Sequence, residues 1–120
     1  MILVDTSVWV DHLRSTDRAL AAALDAGRVL AHPLVIGEIA CGNLRNRREN
    51  LGLLGSLPSA PVATHSEALL FLEKRGLYGR GVGFVDVHLL VSTALASPSR
   101  LWTRDRRLAE VAGELSVGYE

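Results

Sequence analysis

The chain has 120 residues, 48% hydrophobic and 22% charged, the size of one ordinary domain with a core that needs no staples. Its single cysteine excludes a disulfide framework and a cysteine-rich zinc site, and no apolar run approaches the ~20 residues of a membrane helix. Thirteen basic residues against thirteen acidic sum to zero, which argues against a protein that coats nucleic acid indiscriminately but leaves room for local basic patches.

In chain order, Ile2-Leu-Val4 is a short apolar run that predicts a buried strand. It carries no basic leader or long apolar stretch, so a cytoplasmic protein is expected. Thr6 to Leu13 reads as a short helix. Asp17 can cap a second helix, Arg18 to Ala26, which Gly27 stops. Val29–Ala31 is a weak second strand, and Pro33 suits the first turn of a helix running to about Cys41. Arg47 to Leu57 is a helix weakened by Gly52 and Gly55. Val62–Thr64 predicts a third strand, and Ser66 a cap for a helix ending near Leu77. After the glycine-rich stretch Gly79–Gly83 comes an apolar helix, about Phe84 to Ala96. Arg100–Thr103 is a fourth strand, Asp105 to about Leu115 a helix, and Ser116–Gly118 a last strand. Strands alternating with helices imply parallel pairing in a three-layer α/β domain, one unit over residues 1–120.

Parallel sheets build their sites beyond the carboxyl ends of the strands. Asp5 follows the first strand directly, and Asp105 lies two residues beyond the fourth. Asp86 opens the most apolar helix. Glu38 sits in the apolar run Leu34-Val-Ile-Gly-Glu38-Ile-Ala-Cys41. Each acid also has a plain structural role open to it: Asp5, Asp86 and Asp105 as caps or first-turn acids that complement a helix dipole, Glu38 as a charge on a solvated face. Glu38 is the hardest to dismiss, because a helix apolar almost all round is expected to be buried, and a lone buried carboxylate is costly unless paired or metal-bound.

The string Ile2-Leu-Val-Asp5-Thr-Ser7 resembles the opening of PIN-domain ribonucleases, especially the VapC-type toxins of bacterial toxin–antitoxin pairs. Glu38 resembles the family's second acid. Phe84-Val-Asp86-Val-His88-Leu-Leu resembles the segment carrying its third, and Leu101-Trp-Thr-Arg-Asp105-Arg-Arg-Leu108 the segment carrying its fourth. The match spans nearly the whole chain in the family's order. One departure concerns the stretch after the fourth acid, where relatives often carry a further carboxylate and this chain has Arg106 and Arg107.

The resemblance implies an α/β/α fold with a central parallel sheet, and endoribonuclease activity in which metal-activated water cuts a phosphodiester. It also implies a small VapB-type antitoxin covering the acidic cleft, and a homodimer. Asp5, Glu38, Asp86 and Asp105 would be the catalytic, metal-binding acids. Converging carboxylates at ~5 Å in an effective dielectric of ~20 repel by about 3 kcal/mol per pair. A hard cation removes that repulsion, and oxygen-only ligands favour Mg²⁺ or Mn²⁺. Ser7 and Thr103 either cap helices or hydrogen-bond the ligands from behind. Arg80, Arg104, Arg106 and Arg107 are the candidates for holding the RNA backbone, and Arg45, Arg47 and Arg48 form a second basic patch. His88, two positions from Asp86, faces elsewhere on a helix and reads as core or interface; Cys41 reads as a small core residue. The alternative function is a catalytically weak PIN module that binds RNA or a protein partner without cleaving.

Overall fold

The computed structural model describes residues 1–120. At its centre lie three parallel strands, β1 (Ile2–Val4), β2 (Val29–Leu30) and β3 (Arg100–Trp102), in the order β2–β1–β3. The register sets Ile2 beside Val29 and Arg100, and Leu3 beside Leu30 and Leu101. All three β1 side chains are buried, as the apolar triplet requires of a strand covered on both faces. Single parallel bridges widen the sheet at each edge, Ala31 to Ser59 and Leu101 to Gly118.

Seven helices connect these strands: α1 (Thr6–Arg14), α2 (Arg18–Asp25), α3 (Pro33–Ala40), α4 (Arg47–Ser56), α5 (His65–Lys74), α6 (Phe84–Leu95) and α7 (Arg106–Glu114). From β1 the chain steps outward to β2 and on to Ser59 through α1–α4. It then returns past β1 through α5 and α6 to β3, and through α7 to Gly118. Crossovers in parallel sheets are right-handed, so the first four helices cover one face and the last three the other. The packing agrees: α1 lies on α3, and α5 on α6. The two directions of travel diverge between β1 and β3, the topological switch point where such sheets open a crevice at their carboxyl edge.

Local chemistry accounts for the element ends. Asp17 Oδ1 accepts from the Leu20 N–H at the start of α2, and Gly27 ends that helix at φ +66°, a conformation glycine adopts without steric cost. Pro33 stands in the first turn of α3. Three sequence expectations are corrected. Val62–Thr64 forms no strand. The edge of β2 is met earlier, where Ala31 N–H donates to Pro58 O and Ala60 N–H to Ala31 O, both at 2.8 Å. Pro61 brings no N–H with which to extend the ladder. The cap of α5 is Thr64 and not Ser66: the Thr64 hydroxyl accepts from Glu67 N–H, and the Glu67 carboxylate accepts from Thr64 N–H, a reciprocal capping box. The strand expected at Ser116–Gly118 is reduced to the one bridge at Gly118. No helix is long and apolar enough to cross a membrane.

Candidate active site

Asp5 ends β1 and caps α1. Its backbone N–H continues the β1–β3 ladder by donating to Trp102 O at 2.9 Å, which holds the residue at the switch point. Its side chain is 7% exposed. Oδ1 accepts from Thr6 N–H at 2.7 Å. Oδ2 accepts from the Ser7 hydroxyl at 3.0 Å and the Thr103 hydroxyl at 2.7 Å. Of about four lone-pair sites on a carboxylate, three are therefore taken, and the rotamer is held from both sides of the crevice.

The turn after β3 is wired to the same point. Thr103 Oγ1 accepts from Asp105 N–H at 3.0 Å, and Ser7 Oγ accepts from Arg104 N–H at 3.0 Å. Asp105 caps α7, its Oδ1 accepting from Arg107 and Leu108 N–H. Asp86 lies in the first turn of α6, and its Oδ2 accepts from Gly83 N–H at 2.9 Å. It is half-buried. Burial pushes its carboxyl above the usual range and the Gly83 N–H partly opposes this. The charges of Asp5, Asp105 and Glu38 push it up further.

Glu38 is exposed, which corrects the expectation of a buried acid. Helix α3 is eight residues long and fully buries only Val35 and Ile39, one turn apart, so Glu38, off that stripe, lies in solvent. Its Oε1 accepts from the Thr6 hydroxyl at 2.6 Å. Thr6 was absent from the sequence-derived site. It donates its N–H to Asp5 and its hydroxyl to Glu38, and so ties two acids that are 33 positions apart.

Four acids from four segments thus meet at one edge of the sheet. No three of them are grouped closely enough to ligate a single ion directly. Mg²⁺ keeps several waters and is usually held through one or two carboxylates. The donor set fits such a hydrated, hard cation: all oxygen, mutually repelling, and with one acid already discouraged from ionising. His88 is buried, as a core residue is expected to be, with its ring edge-on to Phe84 at 4.8 Å. Cys41 is exposed at the end of α3 and is not a core residue.

The PIN domain profile matches residues 2–114. The chain belongs to the PIN-domain family. Ribonuclease VapC32 from Mycobacterium tuberculosis strain CDC 1551 / Oshkosh is 49% identical to it over 117 residues, spanning 98% of this chain and 94% of the relative. The same figures hold for Ribonuclease VapC32 of strain ATCC 25618 / H37Rv.

Around this PIN-domain site the candidate arginines divide. Arg80 forks onto Glu114 at 3.0 and 2.6 Å. Arg104 bridges Asp11 and, at 2.5 Å, Asp17. Both cations are engaged with carboxylates of the chain itself. Arg107 lies across the glycine loop, where a Cβ on Gly81 would stand 2.5 Å from its Cδ and Nη1. Arg106 is exposed and is in no ion pair.

Proposed function

We propose that this chain is a divalent-metal-dependent endoribonuclease, the toxin of a type II toxin–antitoxin pair, with Asp5, Glu38, Asp86 and Asp105 as its metal-binding acids. The observation that carries the reading is the hydrogen-bonded convergence at the switch-point crevice, where Thr6 ties Asp5 to Glu38 and Thr103 ties Asp5 to Asp105. The kinship with proteins named Ribonuclease VapC32 supports the choice of RNA. A bound Mg²⁺ or Mn²⁺ would offset the acids' repulsion and supply the Lewis acidity that phosphodiester hydrolysis needs.

The chain's own groups prepare the place. Ser7 and Thr103 hold Asp5 in one rotamer, and Thr6 turns Glu38 toward the same edge. Gly83 N–H fixes one oxygen of Asp86. Partial burial leaves that carboxylate short of water, so a cation is favoured as its partner. Arg106 and Arg107 are the arginines placed to meet an RNA phosphate, since Arg80 and Arg104 are neutralised by their partners. A small VapB-type antitoxin covers the acidic edge in this reading, and a homodimer forms; exposed Leu34, Leu53, Leu69 and Leu70 supply apolar surface for such contacts.

The test is cleavage of host RNA by purified protein free of any partner. Cutting should require Mg²⁺ or Mn²⁺, stop with a chelator, and be lost in Asp5→Asn. Absence of metal-dependent cutting by the wild-type protein would overturn the reading.

A further inference from the structure

A groove of about 520 Å³ runs between α1 and the turn that joins α3 to α4, within the roughly 300–1,000 Å³ of ordinary ligand clefts. Glu38 forms part of its wall, so it opens directly onto the acidic edge. Val10 and Leu13 of α1 line it, and Arg14 and Arg45 stand in the same wall. These two guanidiniums are free of partners, as Arg106 is, and differ in this from Arg80, Arg104 and Arg47. Arg80 and Arg104 are in ion pairs. Arg47, at the start of α4, donates to Ala40 O and Gly42 O and so closes the end of α3. Arg14 and Arg45 take part in no ion pair and no side-chain hydrogen bond, and both are exposed.

We infer that this groove seats the RNA strand beside the scissile phosphate, with Arg14 and Arg45 gripping the flanking backbone. The inference rests on the ribonuclease reading above and adds to it the path of the substrate. Charge decides the occupant. Two uncompensated cations outweigh the one carboxylate in the wall, and a cleft leading from a cation site along a basic wall is what a polyanion requires. Arginine suits it, because its planar fork pairs with two phosphate oxygens at once. No aromatic side chain lines the groove, so bases find no stacking platform there. The grip is on the backbone, insensitive to sequence and sensitive to salt.

The experiment is fluorescence anisotropy of a labelled single-stranded RNA with Mg²⁺ present, on an Asp5→Asn background that does not cut. Arg14→Glu/Arg45→Glu and Arg14→Ala/Arg45→Ala are compared with Arg28→Ala, whose position before β2 is at the opposite edge of the sheet. The expected result is affinity lower by about tenfold or more at low salt for the paired variants. The slope of log affinity against log salt should flatten by about 0.7 for each lost phosphate contact, with Arg28→Ala unchanged. Circular dichroism confirms that these surface variants fold. Unchanged affinity and slope in the charge-reversed pair would overturn the inference while leaving metal-dependent cleavage by the wild type intact. Unchanged RNA binding together with lost retention of a co-expressed small partner would assign the groove to protein and overturn it equally. If wild-type protein neither binds nor cuts RNA, the inference falls together with the ribonuclease reading.

Discussion

The Thr103 hydroxyl is used twice: it donates to Asp5 Oδ2 and accepts from Asp105 N–H. Valine has nearly its shape and neither function. Thr103→Val should therefore lower cleavage or metal affinity by roughly 10–100-fold, the usual cost of removing a group that orients a ligand, while Thr103→Ser retains most of it. Steady-state cleavage rates across a metal titration check this. Asp86 is expected to behave in the opposite sense for stability. Its carboxyl is raised above its unfolded value by burial and by three neighbouring acids. In the fold it gives up its proton at a higher pH than in the unfolded chain, so the metal-free protein loses stability as pH rises through that window. Asp86→Asn keeps an oxygen for Gly83 N–H and removes the charge. Melting without divalent ions should show it more stable than wild type at neutral pH and not at acidic pH, with cleavage lost.

Helix α3 owes its start to a buried histidine. His32 Nδ1 accepts from Leu34 N–H, and Nε2 pairs with Ser92 Oγ. Burial, and then the charge of His88, hold its pKa below the usual value. The cap requires neutral imidazole, so its contribution is complete above the unfolded pKa of ~6.5 and is lost as pH falls through the folded value. His32→Asn, which can cap without titrating, should show a shallower acid-side decline in thermal stability across pH 4–7 (a range of about three units around that reference value). Much of this level was legible beforehand. Asp17, Gly27 and Pro33 announce their helix ends through local chemistry, and those ends stand where they were expected. The Thr64–Glu67 capping box has the spacing a sequence can show, but Ser66 offers a competing cap two residues on. What could not be read depends on distant partners. Glu114 is 34 positions from Arg80, and Asp11 is 93 from Arg104, so pairs that neutralise two expected RNA contacts left no local trace. The apolar neighbours of Glu38 point to the interior, yet whether an apolar turn is covered depends on what packs against it, and α3 fully buries only two side chains. Thr6, legible in the sequence only as the start of a helix, owes its bond to Glu38 to the meeting of α1 and α3.

For the molecule as a whole, a net charge of zero conceals a strongly uneven field. Acids are gathered at the crevice between β1 and β3, and the arginines beyond it are partly cancelled by their own carboxylates. A cation that binds only the folded arrangement stabilises it by mass action, by about 2.7 kcal/mol at a hundredfold excess over its dissociation constant. Added Mg²⁺ or Mn²⁺ should accordingly raise the melting temperature of the wild type, and have little effect on Asp5→Asn; differential scanning calorimetry with and without chelator reads this without any RNA. Asp5 follows the first strand, and one of the two hydroxyls that steady it arrives only at residue 103. A lesion that stops synthesis shortly before β3 would spare Asp5, Glu38 and Asp86, yet strip β1 of a neighbouring strand and leave Asp5 without its Trp102 and Thr103 partners. Loss-of-function alleles are thus expected to include nonsense codons placed shortly before residue 100, downstream of three of the four acids.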